Sequence, residues 1–370
     1  MGSARYFPKT GHLFYFWKGR VALYALLKAL GLRPGDEVIL PGFTCVVVPN
    51  AVLYAGARPI YADIEPDTYT ISAATIEPLL TKRTKVILAQ NTFGLSANLE
   101  PIMELAHQRR VFVIEDCAHG LGGFYRGQRN GTVAQAAFFS TQWSKPISTG
   151  LGGIAFTHDD VLARRIKEVA RTMPQPTLGQ QIMLAAQRLA RPLADHPALH
   201  YPLVGAYRFV TQKLGLSVGS NCERELETVE MPPAYARRMG LWQWQGWQRG
   251  LAHIDEKIKH SQEVAAFYDE FLNPICIDPP LRPYYAEHGM LRYTIRVSER
   301  DKLLQKARCL RIPVGDWFGS PLYPVKRHLS RWGYTPGQCP VAERACQEVI
   351  NLPTAQPLSA DQLTKLFKES

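Results

Sequence analysis

No apolar run in this 370-residue sequence approaches the ~20 residues that a membrane-spanning helix needs. The most apolar stretch, 45–57, is interrupted by Pro49 and Asn50. The first residues lack a basic-then-apolar leader pattern. Cysteine is sparse and scattered: seven residues, an odd number, with no Cys-x-x-Cys pair and none beside spaced histidines. That distribution argues against a disulfide framework or a zinc site, and it leads us to expect a reducing, cytoplasmic compartment. There is no internal repeat and no low-complexity tract. The apolar fraction of 46% and charged fraction of 20% exclude a disordered or collagen-like chain. The length is ample for a sizeable core and is about two to three domains' worth at roughly 150 residues each.

What the chain does carry is excess positive charge, +11 overall. The excess is uneven. Residues 161–215 hold eight Lys/Arg and two acids, a local +6. Basic surface of this kind suits an acidic partner, such as a phosphorylated substrate, an anionic lipid surface or an acidic carrier protein. No nucleic-acid reading motif accompanies it, so nucleic acid is not expected.

The periodicity predicts a helix over 20–31, where Val21, Tyr24, Leu27 and Leu30 recur at helical spacing and Gly31 can end it. Strand-like runs follow at 37–40, 59–64, 85–91, 111–115, 136–140 and 153–157. Strands alternating with helices predict an α/β domain with a mostly parallel, helix-covered sheet. Beyond Thr157 the pattern changes. A helix is predicted at 161–171, two apolar-basic stretches at 178–193 and 201–216, and one long helix at about 238–272. The last hundred residues read as a smaller α+β unit, with a strand at 291–297 and helices at 300–310 and 359–368. We therefore expect a large domain over 1–245, with an enlarged segment at 172–233, and a small C-terminal domain over 246–370.

The most informative run is Phe139 to Gly153, FSTQWSKPISTGLGG. A strand ends at Ser140, Lys145 follows five residues later, and a Gly-rich turn comes next. Upstream, a second strand ends at Asp116, with His119 three residues on. A lysine amine forms a Schiff base with an aldehyde cofactor. Pyridoxal phosphate needs such a lysine, a carboxylate for its pyridine nitrogen, a phosphate cradle and a group near its phenolic oxygen. Backbone N–H groups at a helix start can form the cradle. Lys145, Asp116, Gly19 with Ser140, and His119 are candidates for the four parts. Each also has a bland reading: a surface lysine, a helix cap, a helix-start glycine and polar filling. Their order and spacing together make the case.

The sequence resembles the DegT/StrS-type sugar aminotransferases, pyridoxal-phosphate enzymes of fold type I. Gly19 to Leu23 matches Gly-Thr-x-Ala-Leu, and Pro34 to Thr44 matches PGDEVI-x-P-x-F-T. Gly56 to Pro59 with Asp63 to Thr70, Ile114 to His119, Ser140 to Gly153, and Pro340 to Glu343 with Asn351 to Pro353 complete the set. The resemblance implies that Lys145 holds pyridoxal 5′-phosphate and moves protons. It implies that Asp116 pairs with the pyridine nitrogen and that His119 lies near the phenolic oxygen. Ser140 and the backbone at Gly19-Arg20 would hold the phosphate, and Thr44 and Cys45 join the cofactor-binding set. It further implies an amino donor, commonly glutamate, a keto-sugar acceptor, and a homodimer with shared active sites. Within the same fold, deoxysugar dehydratases replace the lysine by histidine, so Lys145 favours transamination. A sensor that kept the fold without the chemistry would not need the intact Lys145, Asp116 and His119.

Four positions depart from the pattern. Arg20 stands in place of a hydroxyl residue, and could meet the phosphate bidentately. Cys45 stands where a ring-stacking aromatic is usual, with Phe93 as a substitute. Ala236 replaces an asparagine that reaches the partner's phosphate. Gly150-Leu-Gly-Gly153 replaces GEGG. The 172–233 segment is longer than usual and is expected to act in specificity.

Overall fold

The computed structural model describes residues 6–194 and 223–368. Seven strands form one sheet in the order His12–Phe16, Gly153–Thr157, Ala136–Ser140, Phe112–Asp116, Thr84–Gln90, Glu37–Pro41 and Arg58–Ala62. Ala136–Ser140 to Arg58–Ala62 pair in parallel throughout. The other two pairings are antiparallel.

Residue alternation explains why this sheet is covered on both faces. Val38 and Leu40 point into a core shared with the helices Gly19–Ala29, Val47–Tyr54 and Asp160–Thr172. Ile39, Ile87 and Val113 point the other way, onto the Leu99–Arg109 helix. Ala137, Phe139, Ile154 and Phe156 continue that second face, against Trp247 and Leu251. The Gly19–Ala29 helix ends where Gly31 takes φ +73°, a left-handed conformation that suits glycine.

The C-terminal part has its own core. The antiparallel pair Arg292–Arg296 and Val349–Pro353 packs with the helices Ile254–Leu272, Arg300–Cys309 and Ala360–Phe367. Leu322–Tyr323 crosses back to pair in parallel with Thr44–Cys45. That short ladder carries a C-terminal loop to the ends of the parallel strands.

Two expectations change. The single helix over 238–272 is two helices, Leu241–Ala252 and Ile254–Leu272, broken at His253. The His253 N–H donates to Gly250 O at 3.2 Å, and Asp255 and Glu256 supply acids that favour a fresh helix start. The strand His12–Phe16 was not foreseen, because its run of aromatics does not alternate in polarity. The stretch 178–193 is helical, Leu178–Ala194. It is not free-standing, since Leu184 is buried with Trp17 and Leu151. The stretch 201–216 lies outside the described residues.

Candidate active site

The carboxyl ends of parallel strands are where an open α/β sheet places its ligand crevice. Here they border a cavity of about 510 Å³. Asp116 and Ser140 end their strands at its floor, Gln90 ends a third, and Lys145 enters from the loop after Ser140. Gly19, Arg20, Thr44, Cys45 and His119 also line it. Lys145, Asp116, His119, Gly19, Arg20, Thr44, Cys45 and Ser140 are thus brought to one cavity. Phe93, the suggested substitute for a stacking ring, is not in its wall. It is buried against Phe43, Tyr69 and Phe318.

The Gly19–Ala29 helix begins at this cavity. Lys18 is its extended N-cap residue and makes no side-chain capping bond. The positive end of the helix dipole is therefore presented to an anion. Gly19 must be glycine: an added Cβ would lie 2.8 Å from Ser140 Cβ. Gly153 allows the same close approach from the other side, for its Cβ would meet Lys18 O at 2.2 Å and Gly19 Cα at 2.6 Å. The Gly-rich turn after Lys145 thus exists to let the lysine loop press against the helix start.

Asp116 is buried, and its Oδ1 accepts the Ala118 N–H at 2.9 Å. Burial pushes its carboxyl up to about 6, with the Ala118 N–H and Lys145 pulling back. Withdrawal from water lowers the Lys145 amine to about 7, with Cys45 and Asp116 opposing the shift and Arg292 adding to it. An acid held up and an amine held down in one cavity mark a site built for proton chemistry. His119 is buried and held well below its ordinary range, by burial first and then by Lys145 and Arg292. Its Nδ1 accepts the Phe93 N–H at 3.3 Å, which leaves the proton of the neutral ring on Nε2.

Arg20 has a partner that sequence gave no sign of. Its Nη1 lies 2.5 Å from Glu225 Oε1, both residues buried. The guanidinium that was expected on a phosphate is engaged by a carboxylate. Thr44 donates to Gln90 Oε1 at 2.6 Å, so its hydroxyl orders the wall. Cys45 is half-buried, and burial pushes its thiol up.

Sequence reasoning also missed Trp317, Phe318 and Tyr323, all in the cavity wall. The His119 ring runs parallel to both Trp317 and Phe318, 9° apart in each case, at 5.2 and 5.6 Å. Lys145 Nζ sits 4.9 Å from the Trp317 ring centre. These aromatics lie some 170 residues from the lysine, in no motif with it, and the Leu322–Tyr323 ladder together with the Trp317 N–H bond to Asn351 Oδ1 brings them in.

The geometry fits pyridoxal phosphate. It offers an amine of depressed proton affinity, a buried acid awaiting a cation, and a helix start with no room for a side chain at Gly19. Comparison with known proteins agrees. The profile of the DegT/DnrJ/EryC1/StrS aminotransferase family matches residues 4–181 and 216–369. The chain is 41% identical over 362 residues to a GDP-perosamine synthase of Caulobacter vibrioides, covering 94% of this chain and 82% of that one. It is 29% identical over 339 residues to a UDP-2-acetamido-2-deoxy-3-oxo-D-glucuronate aminotransferase of Pseudomonas aeruginosa, covering 90% and 79%. Among solved structures, DesV of S. venezuelae shares the fold at a TM-score of 0.75 and 22% identity, over 100% of this chain and 88% of that one. Spr1654 of Streptococcus pneumoniae in its PLP form does so at 0.74 and 20%, over 96% and 86%.

Proposed function

The chain belongs to the DegT/DnrJ/EryC1/StrS aminotransferase family, and from that premise we propose that it moves an amino group from an amino-acid donor, glutamate first among them, to a keto-sugar. It is a pyridoxal-phosphate-dependent aminotransferase. When bound, the cofactor supplies an aldehyde that takes up amines and a ring that withdraws electrons.

The chain's own residues then divide the work. Lys145 holds the cofactor covalently and moves the proton at the substrate carbon. Asp116 would face the ring nitrogen, whose positive charge would offset the burial that raises its carboxyl. The Gly19 helix start and Ser140 hold the phosphate. His119, neutral and fixed by Phe93, keeps an Nε2 proton that it would offer to the cofactor's phenolic oxygen. Thr44 and Cys45 shape the wall. The observation that carries this reading is geometric: Lys145, Asp116, His119, Ser140 and the Gly19 helix start line one cavity at the carboxyl ends of the parallel strands, and the opposed shifts of Lys145 and Asp116 accord with it. The names of the relatives support a keto-sugar acceptor.

The test is Lys145→Ala. It is expected to lose the borohydride-trappable adduct and nearly all transamination, while thermal melting stays close to the parent. An alanine variant that still transaminates would overturn the assignment. We also read the enzyme as a homodimer. Leu178, Ile182 and Trp242 are exposed apolar side chains, which a partner subunit would cover. Sedimentation equilibrium tests this against the monomer mass of 41.6 kDa, and a single monomeric species at micromolar concentration would reject it.

A further inference from the structure

The loop that carries Lys145 leaves the sheet and rejoins it at one point. Gly153 pairs with Ser140 on one side and with Phe16 on the other, and each pair is the last rung of its antiparallel ladder. Beyond Gly153 three segments part. Thr141 begins the lysine loop, Leu151 and Gly152 end it, and Trp17 and Lys18 lead into the Gly19 helix start. Where strands part, backbone carbonyls lose their ladder partners and must find others. The Thr141 N–H donates to Gly152 O at 3.0 Å, and the Thr149 hydroxyl donates to Leu151 O at 2.6 Å. An added Cβ on Gly152 would strike Thr141 Oγ1. These contacts close the neck of the loop on itself without tying it to the helix start.

Gln243 makes that tie. It comes from the first turn of the Leu241–Ala252 helix and is 2% exposed. Its Nε2 donates to Leu151 O at 2.5 Å and reaches Trp17 O at 3.5 Å. Its Oε1 accepts the Gly240 N–H at 2.9 Å. The amide fits only this way round, because turning it over would set its oxygen against two carbonyls and its NH2 against an N–H. It therefore stands where the next rung would be, between the segment that ends the lysine loop and the segment that leads to the helix. Leu151, Gly152, Lys18 and Gly19 line the cavity, and Gln243 lies behind them.

We infer that Gln243 is a positioning residue: it fixes the spacing between the Lys145 loop and the Gly19 helix start, so that one cofactor reaches the amine and the phosphate cradle together. The inference rests on the pyridoxal-phosphate reading of this cavity. A misplacement of about 1 Å in such a spacing is enough to cost about 100-fold in the function it serves. The competing role is purely structural, a buried amide that satisfies carbonyls and holds the fold. The two roles differ in what they do to a ligand that touches only one end of the cavity.

Cofactor-free enzyme is titrated with pyridoxal phosphate and with 5-deoxypyridoxal, the same ring aldehyde with no phosphate, and imine formation is followed by absorbance. The ratio of the two dissociation constants measures what the phosphate end contributes. Gln243→Met keeps the length and bulk of the side chain and removes both donors. It is expected to lower the advantage of the phosphate by about 10- to 100-fold, comparable to one charged hydrogen bond. Binding of 5-deoxypyridoxal should stay within a few fold of the parent. Gln243→Asn keeps an amide but is one methylene shorter, which withdraws it from Trp17 O. It should shift the ratio in the same direction by less, and it carries the test if the methionine variant does not fold. Equal weakening of both aldehydes would show that Gln243 only holds the fold, and would overturn the proposal. An unchanged ratio in a folded variant would do the same. If the parent forms an imine with neither aldehyde, the pyridoxal-phosphate reading itself fails, and the role of Gln243 with it.

Discussion

Lys145 illustrates how much a single residue owes to its setting. An exposed lysine amine is almost wholly protonated at neutral pH. Here withdrawal from water brings it down to about 7. A lowered amine makes the folded state bind fewer protons than the unfolded chain between about 7 and 10.5, so this group's contribution to stability falls as pH falls through that window. The same shift frees the nucleophile. The rate at which cofactor-free enzyme takes up pyridoxal phosphate is expected to rise about tenfold per pH unit below 7 and to level off above it. Stopped-flow absorbance between pH 5.5 and 9.5 measures this directly. A rate still climbing tenfold per unit at pH 9 would show that the amine is not depressed. Lys145, Asp116, His119, Ser140 and Gly19 were legible because each belongs to a short contiguous motif at a strand end or helix start. Trp317, Arg292 and Glu225 were not. Their roles depend on being folded back from distant parts of the chain, and an isolated Trp, Arg or Glu has no local signature.

At the scale of elements, the parallel strands were readable because both faces are covered, so each strand is a compact apolar run between turn residues. The antiparallel edge strand His12–Phe16 escaped, and so did the break at His253. In both, tertiary packing overrides local pattern. Gly250 in the helix before the break illustrates this, since a Cβ there would meet Ile147 Cγ2 at 2.4 Å. Helix Leu241–Ala252 is thereby seated against the lysine loop, and the chain must turn at His253 to continue along the C-terminal core. The helix Leu178–Ala194 braces the same loop. Leu184 is buried beside Leu151, and a Cβ on Gly150 would meet its Cδ1 at 2.6 Å. The basic 172–233 segment, expected from sequence to serve specificity, thus begins as a packed support for the loop that carries Lys145. Arg188 belongs to that support, lying against Gly246 with its proton affinity lowered by burial and by Arg249.

Across the whole molecule, one buried network ties four distant parts of the chain together at the helix start after Lys18. Arg20 pairs with Glu225, and Asn50 Nδ2 donates to the Glu225 carbonyl at 2.8 Å. Trp332 Nε1 donates to Asn50 Oδ1 at 2.6 Å, and the Tyr235 hydroxyl donates to the Arg20 carbonyl at 3.2 Å. Residues 20, 50, 225, 235 and 332 are thereby fixed to one another, although nothing in their spacing announces it. The departure at Arg20 then has a structural meaning: a larger cation replaces a hydroxyl and is matched by Glu225, an acid near the C-terminal end of the 172–233 segment. Removing Arg20 takes the 2.5 Å partner from the buried Glu225 and leaves the longer Lys18 contact at 3.9 Å, which costs up to about 3–5 kcal/mol. Arg20→Ala is therefore expected to lower the stability of the cofactor-free protein by that amount, and not only to weaken cofactor retention. Arg20→Met with Glu225→Leu, which removes both charges and keeps apolar bulk, should recover most of the loss. Denaturant unfolding of cofactor-free protein reads the difference. If Arg20→Ala unfolds like the parent and only sheds cofactor on dialysis, the ion pair is not what holds these segments together, and Arg20 serves the phosphate alone.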